Sequence, residues 1–237
     1  MANRFCHYEL RTTDVHAARD FYSDLLGWSF WGEGIDVVPL PAQASSRGAP
    51  PHWLGHIGVD DVAETVRRFV QHGATPLGPP MRTDGAERTI MRDPFGAVVA
   101  LTSEATAARG HRIAWHVLNA RDETAAFAVY GELFGWTPIE VLDLGPDRGR
   151  HQTFRWNDST AAVGSTSNAA SQPQVHPQWL FFFRTENLNA ALALVRARGG
   201  LSTGAMETAD GHLVAPCDDP QGAAFGLYQL AASATRP

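Results

Sequence analysis

Lysine is absent from this sequence, and its absence removes several classes of function. All 19 basic residues are arginines, which excludes a Schiff-base lysine and the lysine-bearing phosphate-binding loop. No GxGxxG motif follows a strand-like segment, so a dinucleotide-binding fold has no support. Pyridoxal-phosphate enzymes and P-loop nucleotidases are therefore excluded.

The sequence also has only two cysteines, no long apolar run and no positive net charge. Cys6 and Cys217 show neither metal-ligand nor redox spacing, and two thiols make no disulfide framework. The longest apolar run, Trp179 to Phe183, is too short to cross a bilayer, and no signal-peptide-like segment follows the first residues. The net charge of −6 offers no basic surface to nucleic acid or anionic lipid. We expect a cytoplasmic protein with reduced cysteines that binds neither nucleic acid nor membrane.

What the sequence does contain is an internal repeat. Seven residues recur at an offset of 108, in the order Asp14, Ala17, Ala18, Tyr22, Leu25, Gly27, Trp28 and then Asp122, Ala125, Ala126, Tyr130, Leu133, Gly135, Trp136. A second set recurs at an offset of 126, with Gly73, Asp84-Gly85, Asp93-Pro94-x-Gly96 matched by Gly199, Asp210-Gly211, Asp219-Pro220-x-Gly222. The difference, 126 − 108 = 18 residues, indicates an insertion in the second copy within residues 145–177.

Each copy divides again into two modules of similar pattern. An alternating strand leads to an Asp or Asn cap, an amphipathic helix and a glycine, which predicts helices over Asp14 to Gly27, Asp61 to Gly73, Asp122 to Gly135 and Asn187 to Gly199. Short strand-like runs follow each helix, so the unit is β-α-β-β-β, four times over. The small, polar stretch 103–110 is typical of a linker, and we predict one domain over residues 1–106 and another over 107–237.

These segments carry a family resemblance. "ELRTTDVHAARDFYSDLLGW", "VLNARDETAAFAVYGELFGW" and the two DPxG turns resemble the vicinal-oxygen-chelate superfamily, which includes glyoxalases, bleomycin-resistance proteins and dioxygenases. The likeness is greatest to two-domain glyoxalase-like proteins of actinobacteria. It implies an α+β fold of two tandem domains, each pairing two βαβββ modules into a curved mixed sheet around a cup that holds a small molecule.

Strand alternation assigns side chains to these cups, because successive residues point to opposite faces. In the first domain the predicted cup-facing residues are His7, Glu9, Arg11, Leu54, His56, Val98 and Ala100. In the second domain they include Trp115, Val117, Asn119, Leu180, Phe182 and Arg184. The first cup thus collects two imidazoles, a carboxylate and a guanidinium, whereas the predicted second cup is mainly aromatic and aliphatic.

The resemblance also implies where a metal would bind. His7 falls at the first metal-ligand position of the family, but Leu54 and Ala100 occupy positions where a metal enzyme needs donors. We therefore expect no metal and no other cofactor. A remade site of His7, His56 and Glu9 is the alternative, since these are ligand types that suit zinc or non-haem iron. Against it, the Cα atoms of His7 and Glu9 should lie about 6.5–7 Å apart on one strand.

The predicted function is that of a metal-independent enzyme acting by proton transfer, as an isomerase, cyclase or lyase. The substrate would be a small aromatic or polyketide-like secondary metabolite. His7, Glu9 and His56 would be catalytic, and Arg11 would hold an oxyanion. One alternative is a protein of the antibiotic-resistance type that sequesters its ligand without transforming it. Another is that the four polar groups only satisfy one another in the core. A monomer and a homodimer both fit two fused copies.

Overall fold

The computed structural model describes residues 3–28, 34–83, 85–104, 112–146, 149–171 and 173–231. Its helices are α1 (Val15–Leu26), α2 (Ala42–Ser46), α3 (Val62–Gln71), α4 (Glu123–Phe134) and α5 (Leu188–Ala197), with a 3₁₀ turn at Asn168–Ser171. None of the helices in these ranges has the length and apolar character needed to cross a membrane.

The strands of the first copy form one mixed sheet. In the described residues these strands are β1 (Arg4–Thr12), β2 (Ile35–Pro39), β3 (His52–Gly58), β4 (Thr75–Pro76), β5 (Met81–Thr83), β6 (Ala86–Arg92) and β7 (Val98–Thr102). Their order is β2-β1-β3-β7-β6-β4, with β5 paired to β6. The pair β3–β7 is parallel, and β6–β7 is antiparallel.

The strands of the second copy form the other sheet. They are β8 (Ile113–Asn119), β9 (Thr137–Asp143), β10 (Arg150–Arg155), β11 (Gly164–Ser167), β12 (Gln178–Arg184), β13 (Leu201–Ser202), β14 (Met206–Glu207), β15 (Leu213–Asp218) and β16 (Ala224–Gln229). Their order is β13-β15-β16-β12-β8-β11-β10-β9, with β14 paired to β15. The predicted α+β fold of two mixed sheets is confirmed.

The four long helices begin where the sequence predicts. The side chains of Asp14, Asp61, Asp122 and Asn187 each accept a hydrogen bond from the backbone amide three residues further on. These bonds satisfy amides that have no partner within the helix. Gly27 and Gly135 end α1 and α4 with φ of 65° and 69°, a left-handed conformation that glycine adopts without strain.

The first module is shorter than the repeating pattern predicts. Between α1 and β3 the described residues form only β2 and the short helix α2, whereas the matching part of the second copy forms β9, β10 and β11. Pro39, Pro41, Pro50 and Pro51 lie in this part of the first copy. Proline has no amide hydrogen to give to a neighbouring strand, so the segment is poorly suited to extend the sheet.

The described chain is divided between two compact units, and each unit takes elements from both copies. The first unit contains Met1–Tyr8, Leu54–Ala108 and His116–Trp179, and the second contains Glu9–Trp53, Arg109–Trp115 and Leu180–Pro237. Helices α3 and α4 therefore belong to the first unit, and α1 and α5 belong to the second. The predicted division at residues 106 and 107 follows the repeat and stays a prediction.

A buried chain of hydrogen bonds ties the two copies together in the first unit. Trp179 Nε1 donates to the Tyr130 hydroxyl at 3.1 Å, and that hydroxyl donates to Asp93 Oδ2 at 3.0 Å. The other carboxylate oxygen of Asp93 accepts the amides of Phe95 and Ala97, which fixes the DPxG turn. Burial of these polar groups is tolerable because each has a partner.

The second unit contains the equivalent relay. Trp53 Nε1 donates to the Tyr22 hydroxyl at 3.0 Å, and that hydroxyl donates to Asp219 Oδ2 at 3.2 Å. Asp219 Oδ1 in turn accepts the amides of Gln221 and Ala223. In both units a tyrosine from the first helix of one copy thus binds the turn aspartate of the other copy. The recurring DPxG motif is explained by this role.

Two residues that correspond in the repeat also meet in the first unit. The Tyr8 hydroxyl lies 2.6 Å from His116 Nε2, and Nδ1 of that imidazole lies 2.8 Å from the Val163 carbonyl oxygen. Because a carbonyl oxygen only accepts, Nδ1 carries the hydrogen and Nε2 accepts from Tyr8. Burial lowers the pKa of His116 to about 4, so the imidazole is neutral at physiological pH. The Phe5 ring stacks on it, with centroids 5.1 Å apart.

We predict that Tyr130→Phe lowers the free energy of unfolding by about 1–3 kcal/mol, because it deprives a buried carboxylate and a buried indole N–H of their partner. Tyr22→Phe should cost a similar amount, since it breaks the matching relay. Tyr228→Phe is the control and should change stability by less than about 0.5 kcal/mol. Chemical denaturation measures all three. A neutral Tyr130→Phe variant would contradict this role for the relay.

We also predict that part of the stability depends on pH through Asp93. Burial raises the pKa of Asp93 to about 6 from its ordinary value of 3.8, although Tyr130 and the turn amides act in the opposite direction. The folded protein therefore holds this proton more firmly than the unfolded chain. The resulting stabilisation is complete below the pKa of the unfolded chain, 3.8, and is lost as the pH rises through about 6. The free energy of unfolding should fall by up to about 3 kcal/mol over this range.

Denaturation at a series of pH values tests this prediction. Asp93→Asn should flatten the fall in stability between about pH 4 and pH 6, because the amide does not titrate. The matched control is Asp61→Asn, since asparagine already caps the equivalent helix at Asn187. An Asp93→Asn variant that keeps the wild-type slope would show that other groups cause it.

Candidate functional site

Two buried histidines meet on neighbouring strands of the first sheet. His7 lies on β1 and His56 on β3, and only 6% and 2% of their respective surfaces are exposed. Their ring centroids are 4.7 Å apart and the ring planes cross at 73°. Strand alternation predicts that these two side chains share one face, and the structure brings them into contact.

Glu9 and Arg11 form an ion pair on the same strand as His7. Arg11 Nε donates to Glu9 Oε1 at 2.5 Å, and the two side chains are 14% and 12% exposed. A charge-assisted bond of this length, away from bulk water, holds both side chains in place. The Arg11 guanidinium is therefore at least partly neutralised by Glu9, which weakens the expectation that Arg11 alone would hold a ligand oxyanion.

The three predicted catalytic residues are grouped closely enough to be tested as metal ligands. One donor atom from each of His7, Glu9 and His56 can be chosen so that all three lie within 4.8 Å of one another. The expected separation of His7 and Glu9 along the strand therefore does not keep their donor atoms apart. Two imidazoles and a carboxylate fit a divalent transition metal in donor type. Glu9, however, already pairs with Arg11.

Apolar residues line the same sheet face around His56. The register pairs His56 with Ala100 and Ala100 with Ile90, so these side chains share a face. Leu54 and Val98 lie two residues along their strands from His56 and Ala100, and so point the same way. Leu54 and Ala100 are fully buried, whereas Val98 is half-buried. Neither Leu54 nor Ala100 offers a donor atom to a metal.

The other predicted binding residues belong to the second sheet. Phe182 is 6% exposed, and its ring occupies the space where a side chain at Gly226 would stand. Arg184 is exposed at the end of the same strand, and Trp115 on β8 is half-buried. Phe182 therefore serves packing, and a role for these three residues in binding a ligand stays a prediction.

Two groups near the histidines were missed by the reasoning from sequence. Arg88 on β6 donates from Nη2 to Glu104 Oε2 at 2.7 Å. His52 begins β3, and its Nδ1 lies 2.8 Å from the Pro50 carbonyl oxygen. Burial lowers the pKa of His52, whereas the Pro50 carbonyl raises it. His52 could have been found from its i, i+2, i+4 spacing with Leu54 and His56.

The second sheet carries more polar groups than the predicted apolar cup. On β10 and β11 the register opposes Thr153 to Ser165 and His151 to Ser167, so all four share one face. His151 Nδ1 lies 3.0 Å from Ser165 Oγ. Thr153, Ser165 and Ser167 are buried. Reasoning from the sequence did not assign Thr153, Ser165 or Ser167 to this surface.

Curated relatives match the chain along most of its length. A protein of Mycobacterium bovis, provisionally named glyoxylase CFP32, is 28% identical over 255 residues that cover 94% of this chain and 93% of that protein. The anthracycline biosynthesis protein DauV of Streptomyces sp. strain C5 is 24% identical, with coverage of 94% and 92%.

A solved structure and a family profile agree with these relatives. The Mn(II)-bound glyoxalase from Novosphingobium aromaticivorans superposes with a TM-score of 0.64 at 13% identity, covering 96% of this chain and 82% of that one. The profile of the Glyoxalase/Bleomycin resistance protein/Dioxygenase superfamily matches residues 4–101 and 112–227. This chain therefore belongs to the glyoxalase/bleomycin resistance protein/dioxygenase superfamily.

Proposed function

We propose that this protein is an enzyme that transfers a proton within a small aromatic or polyketide-like metabolite, without a metal. The observation that carries the proposal is the contact between the buried imidazoles of His7 and His56, whose centroids are 4.7 Å apart. Imidazole is the side chain best suited to give and take protons near neutral pH. Similarity to proteins of anthracycline biosynthesis supports an aromatic polyketide-like ligand.

The chemistry requires no oxidant and no second substrate. One imidazole takes a proton from a carbon next to a carbonyl group, and the electron pair moves into the carbonyl to form an enolate. The other imidazole, in its protonated form, gives a proton to the enolate oxygen or to another carbon. Leu54 and Ala100, which are fully buried on the same face, make the surroundings of His56 apolar and so disfavour water there. Isomerisation, cyclisation and elimination all begin in this way.

Glu9 and Arg11 act on the position of these groups rather than on the substrate. Their 2.5 Å ion pair restrains the Glu9 side chain, which alternation places on the same face of β1 as His7. Glu9 Oε1 is already engaged by the Arg11 guanidinium. We therefore assign the proton transfers to the two histidines and a positioning role to Glu9. The cytoplasmic location and the oligomeric state stay predictions.

The first test is of proton transfer itself. Small molecules retained by the purified protein are identified by mass spectrometry and then incubated with it in D₂O. We predict that the protein accelerates deuterium incorporation, and that His7→Gln and His56→Gln each slow it at least about 100-fold. Ligand affinity should stay within about tenfold of wild type. His16→Gln, at a side chain 89% exposed, is the control and should behave as wild type.

The outcome also decides between catalysis and sequestration. If wild type binds the ligand tightly but never exchanges its protons, the protein sequesters rather than transforms, and the proposal fails. If both glutamine variants exchange at the wild-type rate, the imidazoles are structural and the acid–base assignment is wrong.

A metal-bound form is the second candidate, favoured by the grouping of His7, Glu9 and His56 within 4.8 Å. A bound divalent ion would polarise a carbonyl oxygen of the substrate. His7 and His56 would then hold the ion through ring nitrogens, and Glu9 would have to leave Arg11 in order to join them.

We predict that protein purified without chelator carries less than about 0.1 divalent ion per chain. The reason is that Leu54 and Ala100 stand at two positions where a metal enzyme needs a ligand side chain, and Arg11 already binds the carboxylate of Glu9. Elemental analysis of wild type and of Glu9→Gln measures this. One tightly held ion per chain, lost in Glu9→Gln, would overturn the metal-independent mechanism.

A further inference from the structure

The first sheet carries a second guanidinium–carboxylate pair that the proposed proton transfer does not use. Arg88 lies on β6 and binds Glu104, which follows β7, through Nη2 and Oε2 at 2.7 Å. The two side chains are 20% and 30% exposed, so the pair is largely withdrawn from solvent. Desolvation strengthens the field of a guanidinium.

Arg88 shares the sheet face of His56. The register opposes Arg88 to Thr102 and Thr102 to Gly58, while Ile90, Ala100 and His56 form the next row on the same face. Two strand spacings and two residues separate the Cα atoms of Arg88 and His56, which gives about 12 Å. Both side chains rise from the same face of the sheet, at a separation that a small ligand with two functional groups can span.

One donor of this guanidinium meets no acceptor among the residues that the structure describes. Arg88 Nε is buried and makes no hydrogen bond to any residue in the described part of the chain. A buried N–H of an ionised group is costly to leave unsatisfied, so such a donor is expected to meet an acceptor in the working state. Arg11 differs, because its Nε already donates to Glu9.

We infer that Arg88 is the anion-recognition residue of this site and that the ligand carries an acidic oxygen, as a carboxylate, phenolate or enolate. Arg88 Nε donates to that oxygen, while Nη2 stays bound to Glu104. The inference rests on the proposed function, since it names the substrate class of the same site. It also separates recognition from chemistry: Arg88 binds the charged group, and the histidines move the proton.

Because Glu104 binds Arg88, replacing Glu104 should change anion affinity in the direction opposite to replacing Arg88. Glu104 competes with an incoming anion for the Arg88 guanidinium. Removing its charge should therefore strengthen anion binding, whereas removing the Arg88 charge should weaken it. General damage to the fold does not strengthen binding, so the two variants together distinguish recognition from misfolding.

The experiment compares 2-naphthoate with the neutral 2-naphthamide by titration calorimetry on the full chain. Wild type should prefer naphthoate by about tenfold or more, and Arg88→Gln should abolish that preference while leaving naphthamide affinity within about twofold. Arg88→Lys, which keeps the charge but not the Nε donor, should retain part of it. Glu104→Gln should increase naphthoate affinity about threefold or more. Arg82→Gln, at a side chain 82% exposed, is the control.

Three results would overturn the inference. These are equal affinity of wild type for both probes, no naphthoate binding up to about 1 mM, and an undiminished preference in Arg88→Gln. If Arg88→Gln fails to fold, Arg88→Lys and Glu104→Gln decide the matter. An Arg88-dependent preference without deuterium exchange would refute the proton-transfer proposal alone. Exchange without any carboxylate preference would refute the role of Arg88 alone.

Discussion

The bond between a helix tyrosine and a turn aspartate is the constraint on which the structure depends. Tyr22 binds Asp219 and Tyr130 binds Asp93, and in each case a tryptophan indole completes the relay. Hydrophobic burial is not directional, so aromatic packing alone would tolerate several arrangements of the helices. The hydroxyl–carboxylate bond allows only one of these arrangements, because a buried carboxylate that loses its hydrogen-bond donor destabilises the fold.

The candidate site depends on this arrangement through its strands. Trp53 and His56 lie on the same strand, β3, and Asp93 lies between β6, which carries Arg88, and β7, which carries Ala100. The bond from Tyr130 holds Asp93 and, with it, the turn that joins the strands of Arg88 and Ala100. Trp53 and His56 are three residues apart, so their side chains point to opposite faces of β3.

Much of this could be predicted from the sequence, for identifiable reasons. Helix caps depend on local chemistry, and Asp14, Asp61, Asp122 and Asn187 cap as expected. The contact of His7 with His56 follows from alternation along two strands, once the repeat shows which strands open a module. The pairing of Arg11 with Glu9 agrees with the alternative in which the four polar groups satisfy one another, but alternation alone places a side chain on a face without saying what it binds.

Arg88 was missed for a different reason. It lies on β6, whereas in this sheet alternation was applied only to the strands of His7, His56 and Ala100, and its partner Glu104 comes from beyond the following strand. The polar face of β10 and β11 was missed because the insertion has no counterpart in the first copy. In both cases the information lies in pairing between strands, which a single sequence does not display.

The exchange of acceptors between the two copies has a consequence for the origin of the protein. Each copy supplies the tyrosine of one relay and the aspartate of the other. A lone copy would possess both groups yet be unable to join them, because its tyrosine needs the turn of a second molecule. An ancestral single-copy protein of this design would have satisfied its buried tyrosine only as a homodimer, and fusion of two genes would have made that obligatory partnership covalent.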